Sequence, residues 1–137
     1  MTPQLKVEAS EIPAANVPLG HLQITPGDIG DCVTMVEGWI DRREKAYCIP
    51  INLTKYVVSK SDPKLSESIN QADLVIADGV PIRWLGRRAG VKDVHRVTGV
   101  DLAERLLSLS KSKGWSLYFL GASPENLKRA VKRVSER

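Results

Sequence analysis

The sequence predicts an α/β domain with a mainly parallel sheet and helices on both faces, and three observations carry that expectation. Leu74-Val75-Ile76-Ala77 is an unbroken apolar run that ends in Asp78-Gly79, which is how a strand covered on both faces reads. Runs of strand length at 46–51, 74–77 and 115–120 alternate with segments of helical periodicity, and such alternation calls for parallel strands joined by crossover helices. Each run leads into a polar or glycine-bearing turn, namely Asn52, Asp78-Gly79 and Gly121-Ala122-Ser123. In an open parallel sheet those turns fall on one edge, where ligands bind.

Taken in order, residues 1–17 are rich in prolines and breaks and read as a flexible leader, with the domain proper over 18–137. Pro18 to Thr25 is predicted as a short strand closed by Pro26-Gly27. Asp28 caps a helix in which Ile29, Val33, Val36, Trp39 and Ile40 recur at helical spacing and which ends near Arg42 to Lys45. The strand at 46–51 contains Pro50, where its amide ladder must lapse. Asn52 opens a helix carrying Leu53, Tyr56 and Val57, and Asp62-Pro63 restarts the chain as a helix with Leu65 and Ile69 inward. After the central strand, Pro81 begins a helix with Trp84 and Leu85 that closes at Gly90. Residues 94–102 lead into a helix with Leu102, Leu106, Leu107 and Leu109 on its buried side, ended by Gly114. Trp115 to Leu120 is the last predicted strand, and Ser123-Pro124 starts the final helix.

A chain of 137 residues, 42% apolar and 26% charged, is that of an ordinary globular protein with room for one core. No run approaches a membrane span and no signal-like segment is present, so a cytoplasmic protein is expected. Cys32 and Cys48 lack metal-ligand spacing and read as small buried hydrophobes, and His21 and His95 are isolated, so no metal site is expected. The formal charge of +4 is uneven. Arg83, Arg87, Arg88, Lys92 and Arg96 form one basic cluster, and Lys128, Arg129, Lys132, Arg133 and Arg137 form another that reads first as a solvated helix face. Three tryptophans, three tyrosines and one phenylalanine mostly fit core positions, which argues against a stacking surface for single-stranded nucleic acid.

Two readings stand for Asp78. It is a helix N-cap, or it is a carboxylate delivered to the sheet edge for chemistry. Asn52 carries the same pair of readings. The turn at Gly121, Ala122 and Ser123 offers amides able to hold an anion, or simply a capped helix start. Neither G-x-G-x-x-G nor G-K-[ST] occurs, so the usual dinucleotide and nucleoside triphosphate signatures are missing.

The succession of Asn52, then Ala72 to Pro81, then Arg96-Val97-Thr98-Gly99-Val100-Asp101-Leu102, then Phe119 to Glu125 closely resembles the WecG/TagA/CpsF glycosyltransferases, glycosyltransferase family 26. The resemblance runs from about residue 19 to the C-terminus and rests on four motifs in order. It implies a Rossmann-like fold and an inverting transfer of an N-acetylmannosamine-type or related sugar. The donor would be a UDP-sugar and the acceptor a polyprenyl-diphosphate-linked sugar, in the synthesis of teichoic acid, capsule or exopolysaccharide, without a metal-binding D-x-D or other cofactor. Asp78 falls at the position of the general base and Asn52 at the asparagine of the pocket. Gly79, Arg96, Thr98, Gly99, Gly121, Ala122 and Ser123 fall in the substrate-binding motifs.

The chemistry fits that placement, since a carboxylate can take the proton of a sugar hydroxyl as the new bond forms. The departing UDP needs donors or cations, which the amides around Gly121 and the guanidinium of Arg96 would supply. A lipid-linked acceptor gives the basic surface a use in peripheral contact with the inner face of the plasma membrane. Two departures from the family pattern stand out. Pro50 replaces a threonine, and the sequence stops at Arg137, before a glycine-proline-glutamine segment and a basic C-terminal appendage. The expectation is therefore a domain incomplete relative to the family, with an exposed edge that favours association of copies. Whether it turns over or is a non-catalytic remnant that binds a nucleotide or partner stays open at this level.

Overall fold

The computed structural model describes residues 15–136. The bulk of the expected leader lies outside the described residues. Asn16 and Val17, counted with it above, are already part of the fold. Asn16 donates through Nδ2 to the carbonyl of Ala72 at 3.0 Å, and Val17 opens the first strand. The chain forms two compact units, divided between Leu102 and Ala103.

In the first unit, the segment expected as one strand is a hairpin. β1 (Val17–Leu19) and β2 (Leu22–Ile24) pair antiparallel, with Leu19 opposite Leu22. Gly20 makes the reversal at φ +63°, a conformation that costs a residue with a Cβ. Thr25 ties the hairpin to the centre of the unit. Its amide donates to the carbonyl of Val75, and its hydroxyl accepts from the amide of Val75, both at 2.8 Å. α1 (Ile29–Asp41) follows a reciprocal cap in which Asp28 and Asp31 each take the other's amide.

β3 (Cys48–Ile51) and β4 (Leu74–Ala77) form a parallel pair, with Cys48 opposite Leu74 and Ile51 opposite Ala77. Every residue of β4 is buried, as its unbroken apolar run requires. Between the strands lie α2 (Leu53–Val58) and α3 (Pro63–Asn70), the latter capped by Asp62 with Pro63 in its first turn. α4 (Val80–Arg88) leaves β4 through Gly79 and ends before Gly90, which has φ +80°. Leu19, Leu22, Ile24, Ile51, Ile69, Val75 and Ile82 form the core around the strands.

α5 (Gly99–Lys113) runs across the division and is ended by Gly114 at φ +68°, where the amide of Trp115 bonds back to Ser110. In the second unit, α6 (Pro124–Ser135) starts at a Ser123 cap as expected. The predicted strand at 115–120 is not formed. Tyr118 and Leu120 there are largely exposed, and no described strand pairs with the segment. β propensity becomes a strand only where a neighbour completes the ladder. The mainly parallel sheet is likewise corrected to one parallel pair and one antiparallel pair among the described residues, so the fold is a mixed α/β one.

Candidate functional site

The parallel register builds the site. Because Ile51 lies opposite Ala77, Asn52 and Asp78 each stand one residue beyond the carboxyl end of adjacent strands. The amide of Asp78 donates to the carbonyl of Ile51 at 2.9 Å, locking that alignment. On the other flank of β4 the carbonyl of Ala77 accepts from the amide of Val97 at 3.1 Å, which brings Thr98 and Gly99 to the same edge. A Cβ on Gly99 would stand 2.9 Å from Cγ of Pro50 and 4.0 Å from Oδ2 of Asp78. Asn52, Asp78, Gly79, Thr98 and Gly99 are therefore neighbours.

The helix starts at this edge differ in how they use their polar side chains. Asn52 Oδ1 accepts from the amide of Lys55 at 2.9 Å and caps α2. Thr98 Oγ1 accepts from the amide of Asp101 at 3.0 Å at the start of α5. Asp78 does neither. The N-cap of α4 is Gly79, at φ +112°, with no side-chain cap bond, so the capping alternative for Asp78 does not hold. Its carboxylate is half-buried and has no hydrogen bond or ion pair among the described residues. Burying part of a charge without a partner carries a cost, and the group left over is one that a ligand can engage.

Cations flank the edge. Arg96 is exposed and unpaired among the described residues. Arg83, one turn into α4, is half-buried, and its Nε is fully shielded with no acceptor. Sequence reading places Arg83 only in a basic cluster, because the burial of one atom of a long side chain leaves no mark in periodicity. Trp84 is 58% exposed, with the guanidinium of Arg88 5.5 Å from the centre of its ring.

The remaining sequence-predicted residues lie in the second unit. Gly121 and Ala122 hold positive φ at +111° and +61°, and Ser123 caps α6 by accepting from the amide of Asn126 at 3.3 Å. A groove of about 420 Å³ in this unit is lined by Glu104, Leu107, Ser108, Lys111 and Val134. It contains none of the predicted site residues. Burial pushes the Cys32 thiol up to about 12 and the Cys48 thiol up to about 11, which makes both poor nucleophiles near neutrality.

An uncapped carboxylate at the carboxyl end of a parallel strand pair stands where α/β folds bind their ligands. The chain belongs to the glycosyl transferase WecG/TagA/CpsF family, which it matches over residues 17–137. It is 21% identical over 118 residues to an N-acetylglucosaminyldiphosphoundecaprenol N-acetyl-beta-D-mannosaminyltransferase of Bacillus spizizenii, an alignment covering 85% of this chain and 46% of that relative. The chain thus spans just under half the length of that protein.

Proposed function

We propose that the chain is the part of an inverting glycosyltransferase that carries the general base. A UDP-sugar of N-acetylmannosamine type is the donor, and a sugar hydroxyl on a polyprenyl diphosphate is the acceptor. Asp78 takes the proton of that hydroxyl while its oxygen bonds to the anomeric carbon from the face opposite UDP. The bond from that carbon to the diphosphate oxygen breaks, and UDP leaves with the electron pair. Asn52 offers its Nδ2 group to the substrate, since Oδ1 is occupied by the cap, and Arg96 balances charge on the departing diphosphate. Gly79, Thr98 and Gly99 let substrate approach the backbone. Gly121, Ala122 and Ser123 contribute amides to the donor.

The observation that supports this reading most is the uncapped, unpaired and half-buried carboxylate of Asp78 beside Asn52. The relative's name, which specifies N-acetylmannosamine and an undecaprenol-linked acceptor, supports the substrate class. We place the protein at the inner membrane surface as a peripheral one, where a polyprenyl-linked acceptor would be held. The test is transfer of labelled sugar from the UDP donor to a polyprenyl-diphosphate-linked acceptor, with UDP titrated in parallel. Asp78→Asn is expected to lower turnover by about 10²- to 10⁴-fold while UDP binding persists. Binding of UDP without turnover in the unaltered chain would instead identify a non-catalytic remnant.

A further inference from the structure

Three helices begin at the edge that holds Asp78, and each exposes an apolar side chain at its start. Leu53 of α2, Val80 of α4 and Val100 of α5 are 46, 63 and 70% exposed. Along α4 the exposure continues at a spacing of four, from Val80 to Trp84 to Arg88, with Arg87 exposed beside Arg88. These side chains occupy one stripe of a helix, apolar next to the catalytic rim, then aromatic, then cationic. Arg88 sits over the Trp84 ring, where the aromatic face holds the charge next to an apolar surface.

A tryptophan between an apolar patch and arginines suits the boundary between acyl chains and phosphates of a bilayer, where amphipathic rings and basic side chains are both stabilised. Charge decides between this occupant and a second copy of the chain. From Gly79 to Arg96 the sequence holds Arg83, Arg87, Arg88, Lys92 and Arg96 against Asp93 alone. A symmetric contact would set like charges against each other, whereas an anionic lipid surface attracts all of them.

We propose that the Val80, Trp84, Arg87 and Arg88 face of α4 docks on an anionic bilayer and so presents the Asp78 edge to an acceptor held in that bilayer. The inference rests on the glycosyltransferase reading and names the surface through which the enzyme meets its lipid-linked substrate.

The test is flotation of the purified chain with phosphatidylcholine vesicles, with and without phosphatidylglycerol, while UDP binding is measured separately. Binding is expected only with the anionic lipid and is expected to weaken with salt. Neutralising Arg87 and Arg88 together to Gln should weaken it by about 25-fold, at about fivefold per arginine. Trp84→Ala should weaken it by about tenfold, with UDP affinity unchanged as proof of folding. Equal binding to neutral vesicles, or none to anionic ones, overturns the proposal. So does loss of binding on Lys132→Gln with Arg133→Gln in α6 but not on the α4 changes, or an oligomer that Trp84→Ala dissociates. Vesicle binding that depends on α4 without any UDP binding supports the docking face and overturns the glycosyltransferase reading alone.

Discussion

The amide of Asp78 donates to the carbonyl of Ile51 across 2.9 Å, closing the pairing between β3 and β4. That bond places Asn52 next to Asp78 in register, while their side chains do different work. One carries a helix cap, and the other carries no bond to the described protein.

Asn52 can therefore be divided by substitution. Asn52→Ala removes the cap of α2 and should cost about 1 kcal/mol of stability. Asn52→Asp keeps an acceptor for the Lys55 amide and should be close to the unaltered protein in thermal stability. It lacks the Nδ2 donor and adds a negative charge beside the proposed donor's diphosphate, so donor affinity should fall by about tenfold if the proposed role holds. Calorimetric melting and donor titration on both variants give the two readouts. If Asn52→Asp binds donor normally, Asn52 is a cap and nothing more.

How much of this was legible follows from what each residue depends on. β4 was readable because four consecutive apolar residues need only burial, and Asn52 and Asp78 were readable as strand ends because a parallel register aligns such ends. Whether Asp78 caps α4 was not, because that turned on Gly79 taking φ +112° and the cap position itself. Trp115 to Leu120 has the composition of a strand, but a strand also needs a neighbour, and no described segment pairs with it. The burial of Arg83 Nε is a matter of packing, to which local pattern is blind.

Gly99 is expected to tolerate no side chain while Pro50 faces it. A Cβ would meet Cγ of the proline at 2.9 Å and its Cβ at 3.4 Å, and the ring cannot swing aside as a flexible chain would. Gly99→Ala should destabilise by about 1–3 kcal/mol and reduce transfer, since displacement here reaches the Asp78 carboxylate. Pro50→Ala removes Cγ and should recover a large part of that loss when combined with Gly99→Ala. A double-mutant cycle from urea melts measures this coupling. Additive effects would show that the contact is not what excludes a side chain.

Arg83 offers a test of whether its shielded nitrogen is kept for a ligand. A buried N–H without an acceptor costs about 1–3 kcal/mol, and methionine preserves much of the aliphatic stem. Arg83→Met should therefore melt no lower than the unaltered protein and bind UDP less tightly. A clear drop in melting temperature would mean the guanidinium is satisfied within the folded chain, and unchanged UDP affinity would show that Arg83 does not contact the donor.

Alkaline pH should loosen the first unit through its cysteines. Burial raises Cys32 from an ordinary 9.0 to about 12 and Cys48 from the same value to about 11. Below pH 9 the thiols are protonated in folded and unfolded chains alike, and their contribution to stability is fully retained. As pH rises from 9, the unfolded thiols ionise first, so the unfolded chain binds fewer protons and stability falls until the folded thiols ionise too. Urea melts across that window should show a declining midpoint, and Cys32→Ala should flatten the decline even though it lowers the starting stability. At pH 8, Ellman's reagent should modify the buried Cys32 only as fast as the protein opens, and the half-buried Cys48 sooner. Immediate labelling of Cys32 in the folded chain would contradict its burial against α1's neighbours and remove the basis for the alkaline limb.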